Sequence, residues 1–147
     1  YPSEPALLAI VRVVPGSSLP DEMASDEAIE QVGMNLTMRY EREQGRRPED
    51  VSAQALGYDI RSVDKDGNYR YIEVKARAGS GAIALTPNEW VMANRLKEEY
   101  WLYVVEQAAS SPELYLIQNP AACLKPDEQV EIVRYVVRNW QSAAKRA

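Results

Sequence analysis

Three side chains in the middle of the chain have the types and spacing to hold a divalent cation: Asp59, then Glu73 and Lys75 within Ile72-Glu73-Val74-Lys75. A Glu-x-Lys spacing puts both side chains on one face of a strand. If Asp59 lies directly across from Glu73, two like charges repel, at a cost of up to ~1 kcal/mol. Lys75 offsets part of that, and a divalent cation taking oxygen ligands from Asp59 and Glu73 would offset more. The plain alternative is a solvated strand face whose Glu-Lys pair contributes ~0–1 kcal/mol. Register decides between them.

The elements that must position these residues are two strands and a turn. Gly57-Tyr58-Asp59-Ile60-Arg61-Ser62-Val63 and Tyr69-Arg70-Tyr71-Ile72-Glu73-Val74-Lys75-Ala76-Arg77 are rich in β-branched and aromatic residues, and Asp64-Lys65-Asp66-Gly67-Asn68 between them is turn chemistry. This predicts an antiparallel hairpin. A three-residue loop Lys65-Asp66-Gly67, with glycine in the left-handed position of a bulge, sets Asp64 opposite Asn68. The pairs on one face are then Ser62/Arg70, Ile60/Ile72 and Tyr58/Val74. The other face holds Val63/Tyr69, Arg61/Tyr71 and Asp59/Glu73, with Lys75 further along. A two-residue Asp66-Gly67 turn would slide the ladder by one and split the charged cluster. The apolar pairs favour the first register.

Composition narrows the chemistry. The chain has 147 residues, 46% hydrophobic and 27% charged, enough for one domain with a real core. There is one cysteine, Cys123, and no histidine, which excludes an internal disulfide and removes Ser-His-Asp and Cys-His mechanisms. Carboxylates, lysine and a metal must carry any catalysis. A net charge of −5, from 17 basic and 22 acidic residues, argues against gripping nucleic acid with the whole surface but allows a local basic patch. No apolar run approaches a membrane span and no signal peptide is visible, so an intracellular protein without membrane contact is expected. The first residue is Tyr1, which suggests a processed chain or a piece of a longer protein.

Along the chain, residues 5–14 read as a buried or edge strand. A helix is expected from about Asp21 or Ser25 to Gln44, with Ile29, Val32, Gly33, Leu36 and Tyr40 as its apolar stripe and Gly45 as its stop. Glu30, Thr37 and Glu41 lie on one margin of that stripe. Glu30 is the preferred further metal ligand and Glu41 the second choice, the alternative being ordinary surface acids. Arg46 to Leu56 reads as a connector. Arg42, Arg46 and Arg47 are the densest basic cluster and, with Arg77, are candidate phosphate contacts or simply a solvated helix end. A short strand is expected at Ala82–Leu85. Thr86-Pro87-Asn88-Glu89 then starts a helix with a capping box, which accounts for Thr86 and Glu89, while Asn88 is free to face a substrate. Strands are expected at residues 101–105 and 113–117, a helical turn at 120–124, a strand at 130–137, and a fraying tail from Asn139. The domain limits read as an N-terminal strand and linker over 1–22, the main domain over 23–138 and a tail over 139–147.

Gly57-Tyr58-Asp59, a short hairpin and Glu73-Val74-Lys75 resemble the PD-(D/E)xK nuclease signature. More narrowly, Glu30, Tyr40-Glu41-Arg42, Gly45-Arg46-Arg47-Pro48, Gly57-Tyr58-Asp59-Ile60, Ile72-Glu73-Val74-Lys75 and Asn88-Glu89-Trp90, across residues 28 to 106, resemble the NO VEIN C-terminal domain family. The resemblance implies a restriction-endonuclease-like α/β fold: a three-layer core, a central mixed sheet flanked by helices, with extra C-terminal strands. It also implies that Asp59 and Glu73 ligate Mg²⁺ or Mn²⁺, that Lys75 orients or deprotonates the attacking water, and that the domain sits at the end of a larger helicase-like ATPase. Two departures stand out: the strand expected before the Asp59 strand is not obvious, and the usual proline before the aspartate is absent. A metal-dependent DNA nuclease is the leading expectation. A catalytically silent DNA-binding or protein-docking module and a structural appendage compete with it. Pairing of two copies through the first or last strand is left open.

Overall fold

The computed structural model describes residues 9–12, 26–127, 138 and 140–146. Its elements run β1 (Ala9–Arg12), α1 (Asp26–Glu43), β2 (Arg47–Asp50), β3 (Ile60–Val63), β4 (Tyr69–Ala76), α2 (Pro87–Leu96), β5 (Tyr100–Glu106), β6 (Glu113–Gln118) and α3 (Pro120–Cys123), with single 3₁₀ turns at Ser52–Gln54, Lys97–Glu99 and Trp140–Ser142. The six strands form one sheet in the order β1-β6-β5-β4-β3-β2. Among the described residues only β4 and β5 run parallel, joined by the crossover through α2, so the sheet is mixed.

The hairpin adopts the expected register from Val63/Tyr69 to Ile60/Ile72, but the ladder stops there: Tyr58, expected opposite Val74, packs against Tyr71 on the other face. Ile60 pairs with Ile72, Arg61 with Tyr71, Ser62 with Arg70 and Val63 with Tyr69. Asp64 N–H donates to the Asn68 carbonyl at 2.9 Å, and Gly67 takes φ +85°, the left-handed conformation the three-residue loop needs. Side chains of alternate residues then face opposite layers. Ile60, Ile72, Val74, Ala76, Trp101, Tyr103, Val105, Leu114 and Leu116 meet Ile29, Leu36 and Tyr40 of α1 in the main core. Glu73 and Lys75 point to the other layer, toward α2. The architecture is α/β, a mixed sheet with α1 on one face and α2 and α3 on the other.

Two sequence expectations need correction. The connector after α1 contains a strand: Arg47–Asp50 pairs antiparallel with β3 at the sheet edge, Pro48 opposite Ser62. Its proline and two acids have low strand propensity, and pairing with β3 overrides it at an edge, where proline is tolerated. Ala82–Leu85, by contrast, forms no strand. β4 already has β3 on one side and β5 on the other, so no ladder position is left beside it. Within the described residues the expected first helix runs over Asp26–Glu43. Strands β5 and β6 and the turn α3 stand where expected. The strand expected at 130–137 lies outside the described residues.

On the α1 side a charged group is fully buried and fully answered. Glu41, 0% exposed, accepts from the Arg46 guanidinium and from the Tyr103 hydroxyl, which in turn accepts from Arg70 at 3.0 Å. Arg70 lies over the Trp101 ring, 3.8 Å from its centre.

Helix α1 approaches β4 at Gly33, where a Cβ would stand 2.8 Å from the Cβ of Ala76 and 3.3 Å from Val74 Cγ1. Both neighbours are short and fixed to a strand, so neither can give way. Gly33→Ala, which raises intrinsic helix propensity, is therefore expected to destabilise the fold by about 1–3 kcal/mol in urea unfolding. A stabilised variant would show that the helix stands further from the sheet.

Candidate metal and phosphate site

The β3–β4 ladder ends at Ile60/Ile72, and Asp59 sits one residue beyond it. Its N–H donates to the Ile72 carbonyl at 2.9 Å, while its carboxylate accepts the Val74 N–H at 2.9 Å. The carboxylate takes over the role of the next backbone acceptor, which fixes it beside Glu73. On the same face Lys75 Nζ stands 3.1 Å from Glu73 Oε1 and 2.9 Å from Glu89 Oε2. Glu89 also accepts the Thr86 N–H at 2.8 Å, closing the capping box at the start of α2. The Tyr100 hydroxyl donates to the Gly57 carbonyl at 2.8 Å and pins the turn that delivers Asp59. Gly57, Tyr58, Asp59, Glu73, Asn88 and Glu89 line an open cleft of about 220 Å³.

Burial dominates the electrostatics. Glu73 is 3% exposed; desolvation, then the charge of Asp59, push its pKa up to about 9, with Lys75 pulling the other way. Asp59 is also raised by burial, partly offset by the Val74 N–H and Lys75. Burial would lower Lys75, but its hydrogen bond to Glu89 and the charge of Glu73 raise it, so it stays an ammonium. Burial likewise works against ionised Glu89, yet the bond from Lys75 holds its carboxyl below the usual range. The cluster thus carries more negative charge than its desolvated setting tolerates, and keeps a proton on Glu73 in consequence.

The other sequence candidates are dispersed. Glu30 is exposed on α1, the helix packed on the opposite face of the sheet from Glu73. Glu41 is on that opposite side too, where burial would raise it but Arg46 and Tyr103 bring it below the usual range. Arg46, paired to Glu41, is only 13% exposed in its side chain. Arg42 and Arg47 are exposed, and Arg77 folds back to donate to the Ala82 carbonyl. Asn88 lines the cleft as expected. Glu89 is the residue that sequence reasoning missed: its capping role was legible, but the parallel crossover that lands the start of α2 on Lys75 was not.

A hard divalent cation fits this donor set. Mg²⁺ commonly binds through one or two carboxylates, with waters and substrate phosphate completing its shell. Asp59 and Glu73 would supply those two oxygen donors, and a cation beside them would favour the ionised form of Glu73, which burial and the Asp59 charge now disfavour. Among the described residues no group of three acidic, histidine or cysteine side chains is arranged to hold a metal by itself. No helix among them is long and apolar enough to cross a membrane.

The family model described as Protein NO VEIN, C-terminal, matches residues 29–117, more than half of the chain. The match covers α1 through β6 and so contains the whole cluster. No curated protein and no solved structure matches the chain.

The raised Glu73 has a stability signature. Folded, it holds its proton up to about pH 9, whereas an ordinary glutamate releases it at 4.5. Stability from this group is therefore complete below the lower value and is lost as pH rises through the window between them. Glu73→Gln, which cannot ionise, is expected to match the wild type near pH 5 without metal and to melt at least about 5 °C higher at pH 8. Parallel melting profiles across that range would contradict the buried, protonated Glu73.

Proposed function

The chain belongs to the NO VEIN C-terminal family, and from that premise we propose that it is a metal-dependent nuclease domain of the PD-(D/E)xK type, hydrolysing phosphodiester bonds in DNA as the C-terminal module of a larger helicase-like protein. The observation that carries this reading is the desolvated Asp59/Glu73 pair with Lys75 on the same strand face, open to a cleft. A strand face with only a structural role has no need of two desolvated carboxyl groups held side by side at a cleft. Strained ionisation of this kind, in a cleft, is characteristic of functional sites.

Asp59 and Glu73 would hold Mg²⁺ or Mn²⁺, which supplies Lewis-acid activation of the scissile phosphate and of the attacking water. Lys75, kept cationic by Glu89 and Glu73, orients that water and meets the charge growing on the phosphoryl oxygens. It acts as a donor and not as a base. Asn88 stands at the cleft's other wall, where its side-chain amide can meet a phosphate oxygen. In hydrolysis the water oxygen bonds phosphorus, the bond to one sugar oxygen breaks, and a proton passes to that leaving oxygen. Exposed Arg47, paired with Val63 on the cleft face of the sheet, can guide a flanking phosphate, whereas exposed Arg42 lies on the α1 side.

Cleavage of labelled DNA in Mg²⁺ or Mn²⁺ tests the reading, with Asp59→Asn and Lys75→Met as variants and thermal melting as a folding control. Both variants are expected to fold and to lose at least about 100-fold in rate. Metal binding without cleavage would favour a silent binding module, and a fully active Lys75→Met would overturn the proposed role of the lysine.

A further inference from the structure

One feature of the sheet lies next to the cleft but outside the metal site. The register puts Tyr69 and Tyr71 of β4 on the same face as Glu73 and Lys75, with Arg61 directly across from Tyr71. Tyr71 is flanked by two further rings. Tyr58 tilts against it with centroids 5.0 Å apart, and Tyr69 lies nearly parallel to it at 5.9 Å and 13°. Tyr58 is itself a wall of the cleft, so the three rings form a continuous strip that starts at the acidic pair and ends at Tyr69. Tyr69 is 44% exposed. Helix α2 packs against β5 and α3, on the other side of the cleft.

We propose that Tyr58, Tyr71 and Tyr69 are a stacking platform for the bases of an unpaired nucleic-acid strand, which it leads into the Asp59/Glu73 cleft, so that the substrate of this site is single-stranded or frayed and not intact duplex. The proposal rests on the nuclease reading for the fate of the strand, but not for its binding. In a duplex the base faces are covered by their neighbours, and only the backbone and the base edges in the grooves are offered to a protein. A ring surface on an open sheet is useful only to bases that have left the stack, and stacking on aromatic side chains serves any base. Cross-strand packing in the hairpin accounts for Tyr71 and part of Tyr69. It does not account for an exposed, parallel ring at one end of the strip and a ring inside the acidic cleft at the other.

The charges on this face suit the same occupant. Arg47 pairs with Val63 and Arg61 with Tyr71, so both guanidinium groups emerge beside the rings. Arg61 is held by Glu49 at 3.0 Å, but both side chains are substantially exposed, at 36% and 60%, and a phosphate can replace Glu49 at little cost. Two cations beside three rings, on a chain of net charge −5, describe a strand held more by stacking than by charge. Two phosphate contacts give a shallow salt dependence, a slope of roughly −1.4 in log K against log salt for a single strand.

Fluorescence anisotropy of a labelled oligothymidine and of a duplex of equal length, with the 147-residue chain in EDTA, tests this without cleavage. The single strand is expected to bind at least about 10-fold tighter than the duplex, with that shallow slope. Tyr69→Ala should weaken it roughly 5- to 100-fold while leaving the melting temperature unchanged, and Tyr69→Trp should restore it. Equal or tighter duplex binding, no binding of either, or an unaltered affinity in Tyr69→Ala would overturn the platform; in the last case the strip is hairpin packing or a face for a protein. Tyr69-dependent single-strand binding with no cleavage in Mn²⁺ would uphold the platform and sink the nuclease reading. Cutting of duplex by a chain that does not bind the single strand would do the reverse.

Discussion

Two carboxylates held side by side out of water are the constraint on which the rest of this structure depends. Burial raises both Asp59 and Glu73, the Asp59 charge raises Glu73 further, and Glu73 keeps a proton and hydrogen-bonds to Asp59. Something must hold each in place. For Asp59 it is the Val74 N–H, captured at the point where the ladder runs out. For Glu73 it is a strand hydrogen-bonded on both sides, antiparallel to β3 and parallel to β5. Lys75 and Glu89 then balance part of the charge, and Glu89 ties that balance to the first turn of α2. Displacing the start of α2 would therefore also disturb Lys75.

The opposite face shows what a purely structural solution looks like. Glu41 is as deeply buried as Glu73, yet Arg46 and Tyr103 answer it completely and its carboxyl falls below the usual range despite desolvation. Glu73 goes the other way, up to about 9. Glu41 is held as a carboxylate by its partners, whereas Glu73, although 3.1 Å from Lys75, is pushed toward its protonated form by burial and by Asp59. That contrast, and not the Glu-x-Lys spacing, is what supports the proposed site at Glu73. Fold membership alone would not do so.

The hairpin was legible in the sequence because its register had two independent determinants that agree: the glycine at the third loop position and the pairing of Ile60 with Ile72. Asp59 beside Glu73 followed from that register. Helix α2 was legible from its capping box. What escaped was set by tertiary contacts. β2 exists because β3 offers it an edge, although Arg47-Pro48-Glu49-Asp50 has no strand pattern. Thr37 and Glu41 read as the polar margin of an amphipathic helix, but α1 sinks deep enough, through Gly33, to bury both. Arg46 read as a surface cation and is instead the internal partner of Glu41. Local pattern cannot distinguish a buried ion pair from two surface charges, because both consist of the same residue types at the same spacing.

The central claim is that burial and Asp59 keep a proton on Glu73 that the proposed metal would displace, and metal-linked proton release tests it most directly. Mn²⁺ or Mg²⁺ titrated calorimetrically at pH 7.5, in buffers of different ionisation enthalpy, reports the number of protons expelled on binding. The account predicts close to one proton released by the wild type and close to none by Glu73→Gln, whose metal affinity should also fall. Metal binding without proton release, or the same release from both proteins, would contradict it.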